Sequence, residues 1–146
     1  MGDQLMGWIR SRNGSSRGQT IVEFAVIAPL FFLLLFGIID FGMAMDHRIT
    51  LQHAVREGAR YAAVHDGCLD IQNRTAERAG TLIDPGEVSV SYEDNPAPDG
   101  STVTVSAPFH YDFPIMSYLG IGSIDADVSG AAMLENDVLD AEGCGP

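Results

Sequence analysis

The sequence predicts an α+β fold, in which a long N-terminal helix, half apolar and half amphipathic, packs on a small antiparallel β-sheet. Sixteen consecutive uncharged residues run from Phe24 to Ile39. Between Leu51 and Ala63, apolar residues recur at spacings of three and four, which is the period of an amphipathic helix. After the turn Asp84-Pro85-Gly86, apolar and polar residues alternate in three segments, as in half-buried strands. Together these patterns predict one long helix followed by a three-stranded sheet.

At 146 residues the chain has room for only one small soluble domain beside this helix. We divide it into five segments. They are a cytoplasmic leader at 1–18, a transmembrane helix at 19–45, an amphipathic continuation of that helix at 46–66, an extracytoplasmic α+β domain at 67–135 and an acidic tail at 136–146.

The net charge of −12 is unevenly distributed along the chain. Residues 1–18 carry a charge of +2, whereas residues 46–146 carry five arginines against seventeen acidic side chains. Positive flanks of a membrane segment stay in the cytoplasm, so we expect the N-terminus inside and the acidic part outside. An acidic outer domain argues against binding to nucleic acid or to anionic lipid headgroups.

The apolar run is nearly long enough to span a bilayer, since Glu23 and Asp40 are the only charged residues between Ile21 and Met45. Pro29 removes a backbone hydrogen bond within the run and predicts a helix kink. An ordinary signal peptide cleaved after Ala44 is the alternative interpretation. Two features count against it, namely a carboxylate at the front of the run and helix-favouring sequence that continues beyond the cleavage point.

The amphipathic half predicts a helix that reaches about Val64, with Gly67 as the residue that ends it. Its predicted buried face consists of Leu51, Ala54, Val55, Gly58, Ala59, Ala62 and Ala63. Arg56, Glu57 and Arg60 lie on the other face. They form either a solvated surface with modest pairing or a contact surface for a partner subunit.

The outer domain begins with a second, short helix that we expect from Asp70, as its cap, to about Leu82. Its predicted apolar positions are Leu69, Ala76, Ala79 and Ile83. The strand patterns cover 88–92, 103–107 and 124–128, each with one apolar face. We expect residues 108–122 to form a loop that contains a turn of helix around 115–119.

Cys68 and Cys144 both lie on the predicted outer side, where an oxidising environment permits a disulfide. Two free thiols are the alternative. A bridge would contribute about 4 kcal/mol in the chain-entropy model because it closes a long loop. It would also order the acidic tail, which we otherwise expect to be poorly ordered.

No catalytic constellation is present in the sequence. The four histidines His47, His53, His65 and His110 match no metal-ligand spacing, and the acidic loop 93–100 lacks the ligand order of a calcium-binding EF-hand. Neither a nucleophile with a base nor a glycine-rich phosphate loop is found. We therefore expect no enzymatic activity, no cofactor, no metal and no small-molecule substrate.

Glu23 follows Gly18 by five residues and lies at the edge of the apolar run. A carboxylate in this position is costly in a bilayer and requires a partner. If the chain were cut after Gly18, the new α-amino group of Gln19 would be positive and one helical turn from Glu23. The partner would then be that amino group or the same group of a neighbouring subunit.

Two blocks of sequence resemble TadE-like pseudopilins of the tight-adherence (Tad) pilus system. The first runs from Arg17 to Phe24 and is followed by Ala28-Pro29-Leu30; the second runs from Ala54 to Ala63. The resemblance implies processing by a prepilin peptidase between Gly18 and Gln19, with Glu23 and Phe24 serving in recognition and assembly. It also implies a single-pass membrane subunit whose partners are that peptidase, other pilus subunits and the Tad assembly platform.

Two classes of function follow from these patterns. The first is a minor pilin-like subunit that assembles a Tad-type pilus or a related secretion machine and is, in some cases, incorporated in the fibre. The second is an adhesin-like envelope binding module, secreted or membrane-anchored, with an ordinary signal peptide. The two classes differ at Gly18, after which the chain is cleaved in the first class and not in the second.

Overall fold

The computed structural model describes residues 16–139, 141 and 143–145, so the predicted leader lies almost entirely outside the described residues. Two helices are followed by a three-stranded sheet, which confirms the α+β prediction. The elements are α1 (Ser16–Ala62), α2 (Cys68–Ala79), β1 (Ser89–Tyr92), β2 (Thr102–Asp112) and β3 (Ser123–Met133), with short 3₁₀ helices at Pro85–Glu87 and Met116–Leu119. The chain divides into two compact units between Phe36 and Gly37.

The first unit is the N-terminal part of α1. The apolar stretch of this helix is long and apolar enough to cross a membrane, by length and composition, and none of it is buried. Every large apolar side chain from Ile21 to Phe36 is between 38% and 72% exposed. The helix continues through Pro29, where the kink remains a prediction. Such a surface requires a lipid or protein environment, because soluble proteins rarely expose apolar patches of this size.

The second unit contains the hydrophobic core. All seven residues predicted to form the buried face of the helix, from Leu51 to Ala63, are buried in the structure. Leu51 and Val55 belong to one core cluster with Val90, Val103 and Val105 of the sheet. The core starts earlier along the chain than the predicted helix continuation at 46, since Ala44 is only 5% exposed and joins the same cluster.

The sheet has the order β1-β2-β3, and both pairings are antiparallel. Strand β2 extends to Asp112, so the prediction of a loop from residue 108 was wrong. The alternation continues through Phe109 and Tyr111, which are buried. Pro108 is tolerated because β1 pairs only as far as Ser106, which leaves one edge of β2 free of ladder hydrogen bonds at the proline.

The second helix differs from its prediction at both ends. It begins at Cys68 with Gly67 as the N-cap and ends at Ala79, so Asp70 lies in the first turn, where its charge favours the helix dipole. Leu69 is 73% exposed, so its prediction as an apolar core position was wrong. The shifted register instead buries Ile71, Gln72, Thr75, Ala76 and Ala79.

Two glycines allow α1 to approach its neighbours closely. A Cβ at Gly130 of β3 would come within 2.9 Å of the α1 backbone at Val55 and Arg56. A Cβ at Gly58 would come within 2.1 Å of the Thr75 hydroxyl oxygen on α2. At both contacts a larger residue would push the elements apart, because packed interiors hold no spare volume.

The tail is attached to the domain by backbone hydrogen bonds. Val138 pairs with Ala97, and Cys144 pairs with Val90 beside β1. The amide of Glu135 donates to the carbonyl of Ala63 at 2.8 Å, just beyond the end of α1. The described part of the tail is therefore docked on the domain.

Candidate functional site

The N-terminal part of α1 carries the predicted processing site. Gly18 and Gln19 lie in helical backbone, and the Gln19 side-chain amide donates to the Glu23 carboxylate at 3.2 Å. Gln19, Glu23 and Phe24 are all exposed. The structure thus brings Gln19 and Glu23 together one turn apart, as the spacing predicted, and leaves the carboxylate accessible to a second subunit.

Asp40 is the charged residue of the apolar run to which the sequence assigned no role. It is fully buried. Its Oδ2 accepts hydrogen bonds from the backbone amides of Ile115 at 3.0 Å and Met116 at 2.8 Å. Its Oδ1 is also buried and has no hydrogen-bond partner among the described residues. Asp40 therefore binds the N-terminus of the short helix Met116–Leu119, which is 75 residues further along the chain.

Two further packing contacts involve α1 residues near Asp40 in the sequence. Gly37, one turn earlier on α1, leaves room for the Met116 side chain, whose Cε would lie 3.2 Å from a Cβ at that position. The Tyr111 ring packs against His47 at 5.2 Å and against Phe113 at 5.3 Å. Desolvation and the charge of Asp40 both raise the pKa of Tyr111, so its hydroxyl stays neutral at physiological pH.

A signal for this contact existed in the sequence. A carboxylate at the end of an apolar helix requires donors, and the predicted turn of helix around 115–119 has free amides at its N-terminus. Local sequence patterns could not predict that the Asp40 carboxylate meets these amides, because nothing in either segment encodes a contact across 75 residues.

The candidate partner surface is only partly free. Glu57 faces α2, where its carboxylate lies 3.5 Å from Arg78 and 3.9 Å from Arg74. Arg56 and Arg60 are exposed, and neither has an ion-pair partner among the described residues. These two arginines remain available for a contact with an acidic partner, which stays a prediction.

Cys68 and Cys144 are joined by a disulfide bond with a Cα–Cα distance of 6.1 Å. Cys68 is the first residue of α2, so the bond ties the tail to the start of that helix. The bond and the pairing of Cys144 with Val90 act on the same segment of the tail.

An exposed ionic cluster lies on the sheet. His110 contacts Asp125 through Nδ1 and Asp112 through Nε2, the latter at 3.3 Å. The hydrogen bond to Asp125 and the charge of Asp112 raise the pKa of His110 above its ordinary value. The part of the chain that the structure describes contains no group of three or more His, Cys, Asp or Glu side chains placed to hold a metal ion.

A comparison with known protein families gives a match in the N-terminal helix. Residues 18–60 match the family TadE, described as TadE-like protein. No curated protein and no solved structure shows significant similarity to the chain. The match confirms the resemblance predicted from the two sequence blocks. It supports a minor pilin-like role related to the Tad pilus, and the apolar helix fits a single-pass membrane anchor.

Proposed function

We propose that this protein is a pseudopilin-type subunit that assembles a Tad pilus or a related secretion machine. A prepilin peptidase removes residues 1–18 on the cytoplasmic side, and α1 then holds the mature protein in the membrane with the acidic domain outside. Its partners are the peptidase, other pilus subunits and the assembly platform. The family match over 18–60 and the exposed apolar part of α1 support this role.

The burial of Asp40 and Ala44 in the outer domain is the observation that carries the proposal. A signal peptidase cut after Ala44 would remove both residues, although Ala44 is part of the core and Asp40 binds two backbone amides. Unpaired amides would then be left in the domain, at a cost of about 1–3 kcal/mol each where they are buried. A fold that buries Asp40 and Ala44 favours retention of the helix over the signal-peptide alternative.

Glu23 is the residue that we assign to assembly. It lies 17 residues before Asp40, in the unit whose apolar side chains are exposed. In a lipid environment its carboxylate gains most from a cation, and cleavage after Gly18 creates one at Gln19. Pairing with the amino group of a neighbouring subunit would join two anchored helices.

The first prediction concerns processing. The full chain should be expressed in cells that contain the cognate prepilin peptidase and extracted from their membranes. The extracted protein should begin at Gln19, as measured by intact mass and N-terminal peptide sequencing. Gly18→Leu should retain the leader, because prepilin cleavage requires a small residue before the cut. Gly42→Leu is the matched control, since a Cβ at Gly42 meets no atom within 4 Å, and this variant should be processed normally.

Two results would contradict this prediction in different ways. A mature protein that begins at Met45 would establish a signal peptide and refute the pilin-like role. A chain that keeps its leader in the presence of active peptidase would leave the membrane anchor in place but remove processing from the proposal.

The second prediction concerns Glu23→Gln. Glutamine keeps the shape but loses the charge, so the outer domain should keep its stability, since distant sites act independently. Recruitment into the pilus complex should fall by about tenfold, because a partly desolvated charge pair contributes about 1–3 kcal/mol. Co-purification with other pilus components reports this loss.

Asp46→Asn is the matched control for Glu23→Gln, as it removes an exposed carboxylate from the same helix. The control should co-purify as the unmodified chain does. Equal recruitment of Glu23→Gln and the unmodified chain would show that the carboxylate has no part in assembly.

A further inference from the structure

The loop at residues 113–122, between β2 and β3, differs in character from the rest of the outer domain. It contains no charged residue, whereas the domain as a whole is strongly acidic. Tyr118 is 90% exposed, Leu119 56% and Ile121 50%. Three large apolar side chains in four residues therefore face outwards.

The loop is attached to one place on α1. Its amides at Ile115 and Met116 donate to Asp40, and the Met116 side chain occupies the space beside Gly37. Phe113 at its base is buried in the core. The attachment point lies at Gly37 and Asp40, a stretch of α1 in which Ile38 and Phe41 are still exposed. The exposed apolar side chains of the loop are therefore held beside an apolar stretch of α1.

We propose that residues 113–122 form a membrane-interface foot, in which Tyr118, Leu119 and Ile121 insert among the headgroups of the outer leaflet. Tyrosine is enriched at this depth because its ring is apolar and its hydroxyl remains hydrated. The absence of charge allows the loop to enter the interface without the desolvation of an ionised group. This inference rests on the membrane anchor and is independent of pilus assembly.

The foot also explains how an apolar helix carries a carboxyl group at its outer end. Asp40 is covered by the loop and bound by two amides, so it is not presented to lipid. Asp112 and Asp125 flank the loop on β2 and β3, so a zwitterionic surface suits this foot better than an anionic one.

Depth-dependent fluorescence quenching tests the foot on the full chain in phosphatidylcholine vesicles at low protein density. The natural tryptophan is removed by Trp8→Phe, and single reporters are introduced as Tyr118→Trp or Leu119→Trp. Ile27→Trp reports on the apolar run, and Leu69→Trp, 73% exposed on α2, is the matched surface control. Lipids brominated near the headgroup should quench both loop reporters more than lipids brominated deep in the acyl chain. Leu69→Trp should be unaffected by either lipid.

The outcomes separate the foot from the anchor. Quenching at Ile27→Trp with none at either loop reporter would overturn the foot and leave the anchor intact. An unquenched Ile27→Trp would refute the anchor itself. Emission of the loop reporters that shifts with protein density but not with brominated lipid would show that a second copy covers the loop, which also overturns the proposal.

Discussion

Replacing Cys68 and Cys144 together with serine should lower the free energy of unfolding of the outer domain by about 4 kcal/mol. The two cysteines are 76 residues apart in sequence, so the bond closes a loop through most of the domain. Closing a loop of this length lowers the conformational entropy of the unfolded chain. Small domains are stable by about 5–15 kcal/mol, so the loss should leave this one marginally folded.

The structure also predicts where the double variant loosens first. Cys144 exchanges backbone hydrogen bonds with Val90 of β1, and Val138 does so with Ala97. Without the disulfide, the pairing at Val90 depends on a short segment near the chain terminus. Amide hydrogen exchange at Val90 and Cys144 should therefore accelerate more than exchange in the central part of β2.

Pulse proteolysis of the full chain in detergent micelles at increasing urea concentration measures the expected loss. The unmodified chain under reducing conditions should match the double variant, and Leu139→Ala, at an 80% exposed position, should match the oxidised chain. Alkylation of both thiols in the native protein without reductant would refute the bond. Equal stability with and without reductant would refute its contribution.

Asp40→Leu should destabilise the outer domain by about 2–4 kcal/mol. Leucine branches at Cγ as aspartate does, although it is larger, and it is the better helix former, so helix propensity predicts no loss. The loss comes from the amides of Ile115 and Met116, which would lose their acceptor in a partly buried site. It is expected to appear first as faster hydrogen exchange at those two amides, because they hold the loop to α1.

Asp40→Asn is the matched variant because its side-chain oxygen still accepts from both amides. It should cost less than about 1 kcal/mol, since the hydrogen bonds remain and a buried charge is removed. The same urea and proteolysis measurement compares the two variants. Equal stability of Asp40→Leu and Asp40→Asn would show that the hydrogen bonds do not hold the loop.

The second block of the TadE-like match gains a structural explanation. Gly58 lies where α1 contacts Thr75, and Ala54 and Ala59 are buried within the core. The small residues of the block therefore allow α1 to lie close to α2 and the sheet. Glu57 in the same block pairs with arginines of α2, which leaves Arg56 and Arg60 as its exposed charged positions.

The sequence by itself determined the elements whose pattern is local. The period of three and four identified all seven buried residues between Leu51 and Ala63, because an amphipathic helix places every such residue on one face. The alternation of apolar and polar residues identified the strands, and the turn at Asp84-Pro85-Gly86 separated them from α2. The two blocks at Arg17–Phe24 and Ala54–Ala63 indicated the resemblance to TadE-like proteins, since both are short-range signals.

The tertiary structure decided the contacts between distant segments. Asp40 was assigned to a membrane helix, and only the folded domain brings the amides of residues 115 and 116 to it. The length of β2 depended on pairing with β3 beyond Pro108, which local sequence disfavours. The exposure of Leu69 depended on where α2 begins. Local periodicity reports which face of an element is apolar, whereas the partner of that face is chosen by the free energy of the whole fold.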